Sequence, residues 1–227
     1  MKLKSYFFRD LVLLFILFSF SSSLMAQNKD KELENSGLIN LATLIPNLEV
    51  KLIYATPYNF MGRVLYKDLS KAYLIKDAAD KLFEAYKLLR EERPDLHLVV
   101  YDAARPISIQ KDLWALVEGT DMEDFVANPY KGNGLHNYGV AIDVTLADCT
   151  GLPLAMGSGY DYFGDESRID IEEKLLADGK ISKKELENRL LLRKIMTKAG
   201  FTTYSSEWWH FNAYNSDYAK QNCAIIE

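Results

Sequence analysis

The stretch Gly134-Leu135-His136-Asn137-Tyr138-Gly139-Val140-Ala141-Ile142-Asp143 constrains this chain more than any other. It sets an imidazole and a carboxylate seven positions apart, with a turn-forming glycine between them. That spacing is too wide for neighbouring turns of one helix. A loop histidine, a turn at Gly139 and an aspartate in the following strand bring both groups to one point. Far downstream, Glu207-Trp208-Trp209-His210 pairs a carboxylate with an imidazole again. Two imidazoles and a carboxylate suit three corners of a tetrahedral zinc site and leave the fourth for water; other divalent metals also accept such ligands. Glu207 is then free to act as a base. Positions i and i+3 of an ideal strand face opposite sides. A common focus therefore requires Glu207 to sit in the preceding turn or at a bulge.

The first 27 residues have a different character. Lys2, Lys4 and Arg9 form a basic start, the run LVLLFILFSF covers Leu11 to Phe20, and Ser21-Ser22-Ser23-Leu24-Met25-Ala26 precedes Gln27. This is the layout of a secretory signal peptide cleaved after Ala26. The run is short for a membrane span, which needs about 20 apolar residues. Residues 1–26 are therefore expected to be removed, leaving an exported protein, periplasmic or secreted. Residues 27–37 read as a loose polar leader, and 38–227 as one domain. Of 227 residues, 48% are hydrophobic and 26% charged, which are ordinary globular values; the net charge is −5 and no basic stripe appears, which argues against a nucleic-acid partner. In an exported protein Cys149 and Cys223 are candidates for a disulfide tying the tail to the segment after Asp143.

Leu48 to Tyr54 alternates like a strand. Ile75 to Glu92 carries apolar residues at helical spacing and stops before Pro94, followed by a strand from Leu96 to Tyr101. Pro106 suits the first position of a helix reaching Glu118. Val140 to Leu146 reads as a strand, and Cys149 to Asp165 as a long glycine-rich loop. Ser182 with Glu185 makes a capping box for a helix ending at Gly200. Phe201 to Tyr204 and Trp208 to Phe211 read as strands. Helices and strands do not alternate regularly, which predicts an α+β domain with a central antiparallel sheet flanked by helices. His97, the histidine outside both motifs, is left without a role.

Tyr101-Asp102-Ala103-Ala104-Arg105-Pro106, then His136-x-x-Gly139-x-Ala141-x-Asp143, then Glu207-x-Trp209-His210, together resemble the zinc D-alanyl-D-alanine dipeptidases. That group includes enzymes associated with vancomycin resistance, within a wider family of zinc D,D-peptidases. The likeness runs from about Leu41 to Phe211, and the loop Met156-Gly157-Ser158-Gly159-Tyr160-Asp161 points to the dipeptidase branch. The resemblance implies one zinc ion held by His136, Asp143 and His210, with Glu207 as catalytic base and acid. It further implies Arg105 as transition-state stabiliser, and Asp161 and Asp102 as substrate-binding groups, Asp161 for a free amine. The expected reaction is hydrolysis of D-Ala-D-Ala. The alternative is D,D-carboxypeptidase or endopeptidase action on longer wall peptides. The family usually has serine two residues before the first histidine; Gly134 stands there instead.

Overall fold

A computed structural model describes residues 29–132 and 134–227. The segment expected to be a signal peptide, 1–26, lies outside the described residues. The elements run in the order α1 (29–35), β1 (Ile39–Asn40), α2 (Leu41–Leu44), β2 (Glu49–Val50), β3 (Tyr73–Leu74), α3 (Lys76–Glu92), β4 (Leu96–Asp102) and α4 (Ile107–Val117). They continue with β5 (Ala141–Asp148), α5 (Glu172–Ala177), α6 (Lys183–Lys198), β6 (Thr202–Tyr204), β7 (Glu207–Asn212) and α7 (Ser216–Asn222). The fold is α+β. Its main sheet has the order β2-β4-β5-β7-β6, and β1 pairs with β3 in a separate two-stranded sheet.

The sheet is antiparallel from β4 through β6, as expected, but β2 joins its edge in parallel. The strand expected over Leu48 to Tyr54 shortens to Glu49–Val50, because the chain turns into a single helical turn at Ile53–Ala55. That turn buries Tyr54 and leaves its ring facing the cleft described below.

Helices α3 and α6 pack on each other and on the sheet. α3 buries Ala78, Ala79, Leu82, Ala85 and Leu89, the stripe its sequence spacing predicts. Leu192, Ile195 and Met196 of α6 meet it, together with Leu98, Val100, Val144, Leu146 and Phe211 from the strands. Each such fully buried side chain contributes roughly 1.5–3 kcal/mol through apolar area removed from water. The capping box forms as expected: Ser182 Oγ accepts from Glu185 N, and Glu185 accepts from Ser182 N.

The polar leader is not loose over residues 29–35. It is helical, Leu33 is buried in the core, and Asp30 accepts hydrogen bonds from Ser70 N and Oγ. Leu33, Asp30 and the contacts of Glu34 with Lys71 and Tyr73 hold a segment whose composition reads as solvent-exposed.

The disulfide does not form; both cysteines are free. Cys149 follows β5 beside Asn47, Tyr86 and His97, whereas Cys223 ends α7 against Ile75 and Tyr138. They lie at different ends of the domain, and a bridge requires the two Cα atoms within about 7 Å. Among the described residues, no helix is long and apolar enough to cross a membrane.

Candidate active site

The site is a row of cross-strand partners. Asp102 of β4 pairs with Asp143 of β5, and Asp143 pairs with His210 of β7. Leu98 and Val100 turn toward the helices, and strict alternation would send Asp102 the same way. The register slips between Val100 and Asp102, so β4 gains one residue there. A bulge of this kind re-aims the next side chain, and it moves Asp102 onto the face of Asp143.

His136 arrives from outside the sheet. Residues Leu135–Tyr138 form a short 3-10 turn, which Gly139 closes at φ 65°, a conformation costly for any residue with a Cβ. His136 Nδ1 donates to the Ala103 carbonyl at 2.7 Å, which leaves Nε2 as a bare lone pair. On His210 the roles reverse. Nε2 donates to Asn212 Oδ1 at 2.7 Å, and Nδ1 is the bare nitrogen.

The two bare nitrogens stand 3.2 Å apart, and Asp143 Oδ1 lies 3.3 Å from His136 Nε2 and 3.0 Å from His210 Nδ1. Donors sharing one tetrahedral zinc ion at about 2.0–2.1 Å stand about 3.3–3.4 Å apart. The triangle therefore fits zinc. Both outer nitrogens are already held, as metal-binding histidines require. Asp143 Oδ2 accepts from the Tyr160 hydroxyl at 2.9 Å. Burial works to raise the Asp143 carboxyl, but charge and hydrogen bonds from the His136 and His210 rings in the metal-free site outweigh it and hold it below the usual carboxylate range. It stays ionised for a cation.

Glu207 opens β7 directly after the Ser205-Ser206 turn, where the pairing with β6 slips register. Its Oε2 lies 3.8 Å from His210 Nδ1. The turn-and-bulge placement required for a common focus is the one found. Burial, chiefly, pushes the Glu207 carboxyl up to about 8, with Asp143 and Asp161 adding to the shift and His210 and Arg105 opposing it.

Arg105 follows β4 and is 8% exposed. Its Nε and Nη2 donate to Asp102 Oδ2 at 2.8 and 2.6 Å, and Nη1 donates to Gln110 Oε1 at 2.8 Å. Burial alone would weaken the cation; Asp102 overcomes that and keeps the guanidinium charged. Asp102 has 0% exposure, and its other oxygen accepts from the Tyr66 hydroxyl at 2.7 Å. The expected substrate contact of Asp102 is thus corrected: both oxygens are occupied beneath the cleft, and the carboxylate holds Arg105.

Asp161 is reached through the long loop. Arg189 of α6, fully buried, donates to the carbonyls of Met156, Glu166 and Arg168, and Asn188 donates to Ala155 O. Gly157 is required in this loop, since a Cβ would meet Ile181 Cγ2 at 2.6 Å. Asp161 itself sits at φ 57°, a strained backbone for a non-glycine residue. Its Oδ1 accepts from the Tyr54 hydroxyl at 3.2 Å; Oδ2 is buried with no hydrogen-bond partner among the described residues. Burial and the Asp143 charge raise its carboxyl well above the usual value. An arriving ammonium would satisfy the orphaned oxygen and reverse that shift.

These groups line one cleft of about 410 Å³, which contains Arg105, His136, Asp143, Asp161, Glu207 and His210. Gly134 also lines it, and donates its backbone N–H to Asn137 Oδ1 at 2.9 Å. Tyr54, Tyr66, Gln110, Tyr160 and Asn212 hold the reactive groups in place, and sequence reading assigned none of them a role. The aromatic loop after Leu48–Tyr54 and the position of Gln110 one helical turn past Arg105 were the available signals.

The chain was compared with known proteins. It is 35% identical over 178 residues to the D-alanyl-D-alanine dipeptidase of Escherichia coli (strain K12), spanning 78% of this chain and 85% of that one. It is 28% identical over 196 residues to the D-alanyl-D-alanine dipeptidase of Synechocystis sp. (strain ATCC 27184 / PCC 6803 / Kazusa), spanning 73% and 79%. A solved LD-carboxypeptidase, LdcB, aligns at 19% identity with a TM-score of 0.42 over 82% of this chain and 72% of that one. The profile of the peptidase M15 family, described as D-ala-D-ala dipeptidase, matches residues 34–226, a span that includes every group of the cleft. With that match and a relative of this similarity over most of both chains, the protein belongs to the M15 family of metallopeptidases.

Proposed function

We propose that this protein hydrolyses D-Ala-D-Ala to two molecules of D-alanine, with one zinc ion held by His136, Asp143 and His210. The observation that carries the substrate reading is the orphaned Oδ2 of Asp161, buried in the same cleft as Glu207 and Arg105. A buried carboxylate oxygen without a partner costs free energy unless a cation or donor meets it. A free N-terminal ammonium is such a cation, and it restricts productive substrates to short peptides that begin there.

When bound, zinc supplies Lewis-acid activation of water and of the peptide carbonyl. The chain's own residues do the rest. Glu207, whose Oε2 lies 3.8 Å from the His210 Nδ1 of the metal triangle, takes a proton from the attacking water and returns it to the leaving amine. Arg105, fixed by Asp102 and Gln110, offers positive charge to the carbonyl oxygen as negative charge develops there. Preorganised donors of this kind are worth roughly 3–4 kcal/mol of transition-state stabilisation. Tyr54 and Asp161 orient the amine end.

The test is an Asp161→Asn variant assayed with D-Ala-D-Ala and with N-acetyl-D-Ala-D-Ala. The reading expects the variant to lose its preference for the free amine. A preference equal to that of the wild type contradicts it. The longer-peptide alternative is not favoured: the relatives covering most of the chain are named as dipeptidases.

The basic and apolar start of the chain supports export, with action on wall-derived dipeptide outside the cytoplasm. N-terminal sequencing of the protein from its native cells tests this: a start at Gln27 supports export, and an intact Met1 contradicts it.

A further inference from the structure

Three phenylalanines from three separate loops meet over the cleft. Phe60 follows the Tyr54 turn, Phe125 belongs to the loop leading toward Gly134, and Phe163 lies two residues past Asp161. All three line the cleft. The rings of Phe60 and Phe163 are 4.8 Å apart at 65°, and those of Phe125 and Phe163 are 5.1 Å apart and stacked at 25°. Tyr54 touches Phe60 edge-on at 6.4 Å, and the Tyr54 hydroxyl is on Asp161. A continuous line of rings therefore runs from Tyr54, which holds Asp161, through Phe60 and Phe163 to Phe125.

Each ring is only half-buried, and Phe125 and Phe163 pack on each other rather than in the main core. Large apolar side chains held part-exposed at a cleft cost solubility and add little to the fold, so their placement calls for a role at the cleft. Their geometry supplies one. A peptide extended beyond its amine must leave the cleft past Asp161, and the ring line stands beside that residue.

Resting on the dipeptidase reading above, we propose that Phe60, Phe125 and Phe163 form an aromatic clasp that determines substrate length. The clasp excludes N-extended peptides by shape, independently of the charge of Asp161. Asp161 selects for an amine; the clasp selects against anything attached to it.

The experiment compares zinc-loaded wild type with Phe125→Ala/Phe163→Ala and with the milder Phe163→Leu, using D-Ala-D-Ala and the free-amine tripeptide D-Ala-D-Ala-D-Ala. Asp161 is unchanged in every variant, so a change in the ratio between the two substrates reports the rings alone. The dipeptide-to-tripeptide ratio of kcat/KM is expected to fall about tenfold or more in the double variant, with an absolute rise in tripeptide turnover, and by less in Phe163→Leu. Zinc content and the far-UV spectrum identify folded protein; if the double variant fails to fold, Phe163→Leu alone decides. An unchanged ratio in a folded variant that still cleaves the dipeptide overturns the clasp and leaves the dipeptidase reading standing. No cleavage of D-Ala-D-Ala by zinc-loaded wild type overturns the reading, and the clasp with it.

Discussion

Asp102 Oδ2 accepts two hydrogen bonds from the Arg105 guanidinium, at 2.8 and 2.6 Å, from a position without solvent exposure. The pair links the β4 bulge to the chemistry. The bulge turns Asp102 onto the cleft side of the sheet, Asp102 fixes Arg105, and Arg105 then reaches within 4.0 Å of Asp143 Oδ2. Asp102→Asn keeps the shape but removes the charge that holds the guanidinium. We expect kcat for D-Ala-D-Ala to fall about 10²-fold, the loss of one preorganised transition-state donor, with a much smaller change in KM. The melting temperature should fall too, since removing one partner of a buried ion pair is destabilising. Steady-state kinetics and thermal melts check both.

Glu207→Gln is expected to reduce kcat by about 10²–10⁴-fold, the usual contribution of a positioned general base, while zinc content measured on the dialysed protein stays at one per chain. The same variant tests the electrostatics. In the metal-free protein the folded carboxyl is pushed up to about 8 from its ordinary 4.5, so the folded state binds the proton more tightly than the unfolded state. That proton-linked stability is fully present below about pH 4.5 and is lost as pH rises through about 8. Glutamine never ionises. Chelated Glu207→Gln should therefore exceed chelated wild type in stability above about pH 8, by a few kcal/mol, with no such gain near pH 4.5. Denaturant titrations at the two pH values measure the difference; an equal gain at both contradicts the burial argument.

Asn212 accepts from His210 Nε2 at 2.7 Å and so leaves Nδ1 as the bare nitrogen facing His136 and Asp143. Asn212→Leu removes that acceptor. Zinc affinity, measured by competition with a chelating dye, should weaken about 10–100-fold, as for other partners of metal-binding histidines. Unchanged affinity would mean the His210 ring is held by packing alone.

Gly134 has room for a Cβ, the first atom of the serine that the family resemblance leads one to expect there. Its φ is −76°, and a Cβ would meet Ala127, Asn137 and Gln110 at 3.4 Å, ordinary contact. Gly134→Ser should fold normally and lower KM for D-Ala-D-Ala by about two- to tenfold, the worth of one added neutral hydrogen bond. A raised KM would show that the hydroxyl hinders this cleft.

The groups legible in the sequence were those carried by short motifs. His136 and Asp143 are joined by a turn that Gly139 announces, and the requirement on Glu207 followed from strand geometry alone. The α3 stripe and the Ser182 cap are local patterns, and both helices emerged within two residues of the expected bounds. What the sequence did not reveal depends on packing between distant segments. The bulge at Tyr101 puts Asp102 beneath Arg105 rather than in the cleft. Tyr160, Gln110 and Asn212 act through partners that adopt their positions only in the folded domain. The free Cys149 and Cys223 make the same point in reverse: a plausible pairing in an exported chain fails because sheet topology sends the two thiols apart.

The central claim is tested most directly by release of D-alanine from D-Ala-D-Ala by the purified protein lacking residues 1–26, before chelation, after chelation, and after zinc is restored. The account predicts release that chelation abolishes and zinc recovers. Zinc bound at one per chain with no release of D-alanine would contradict it.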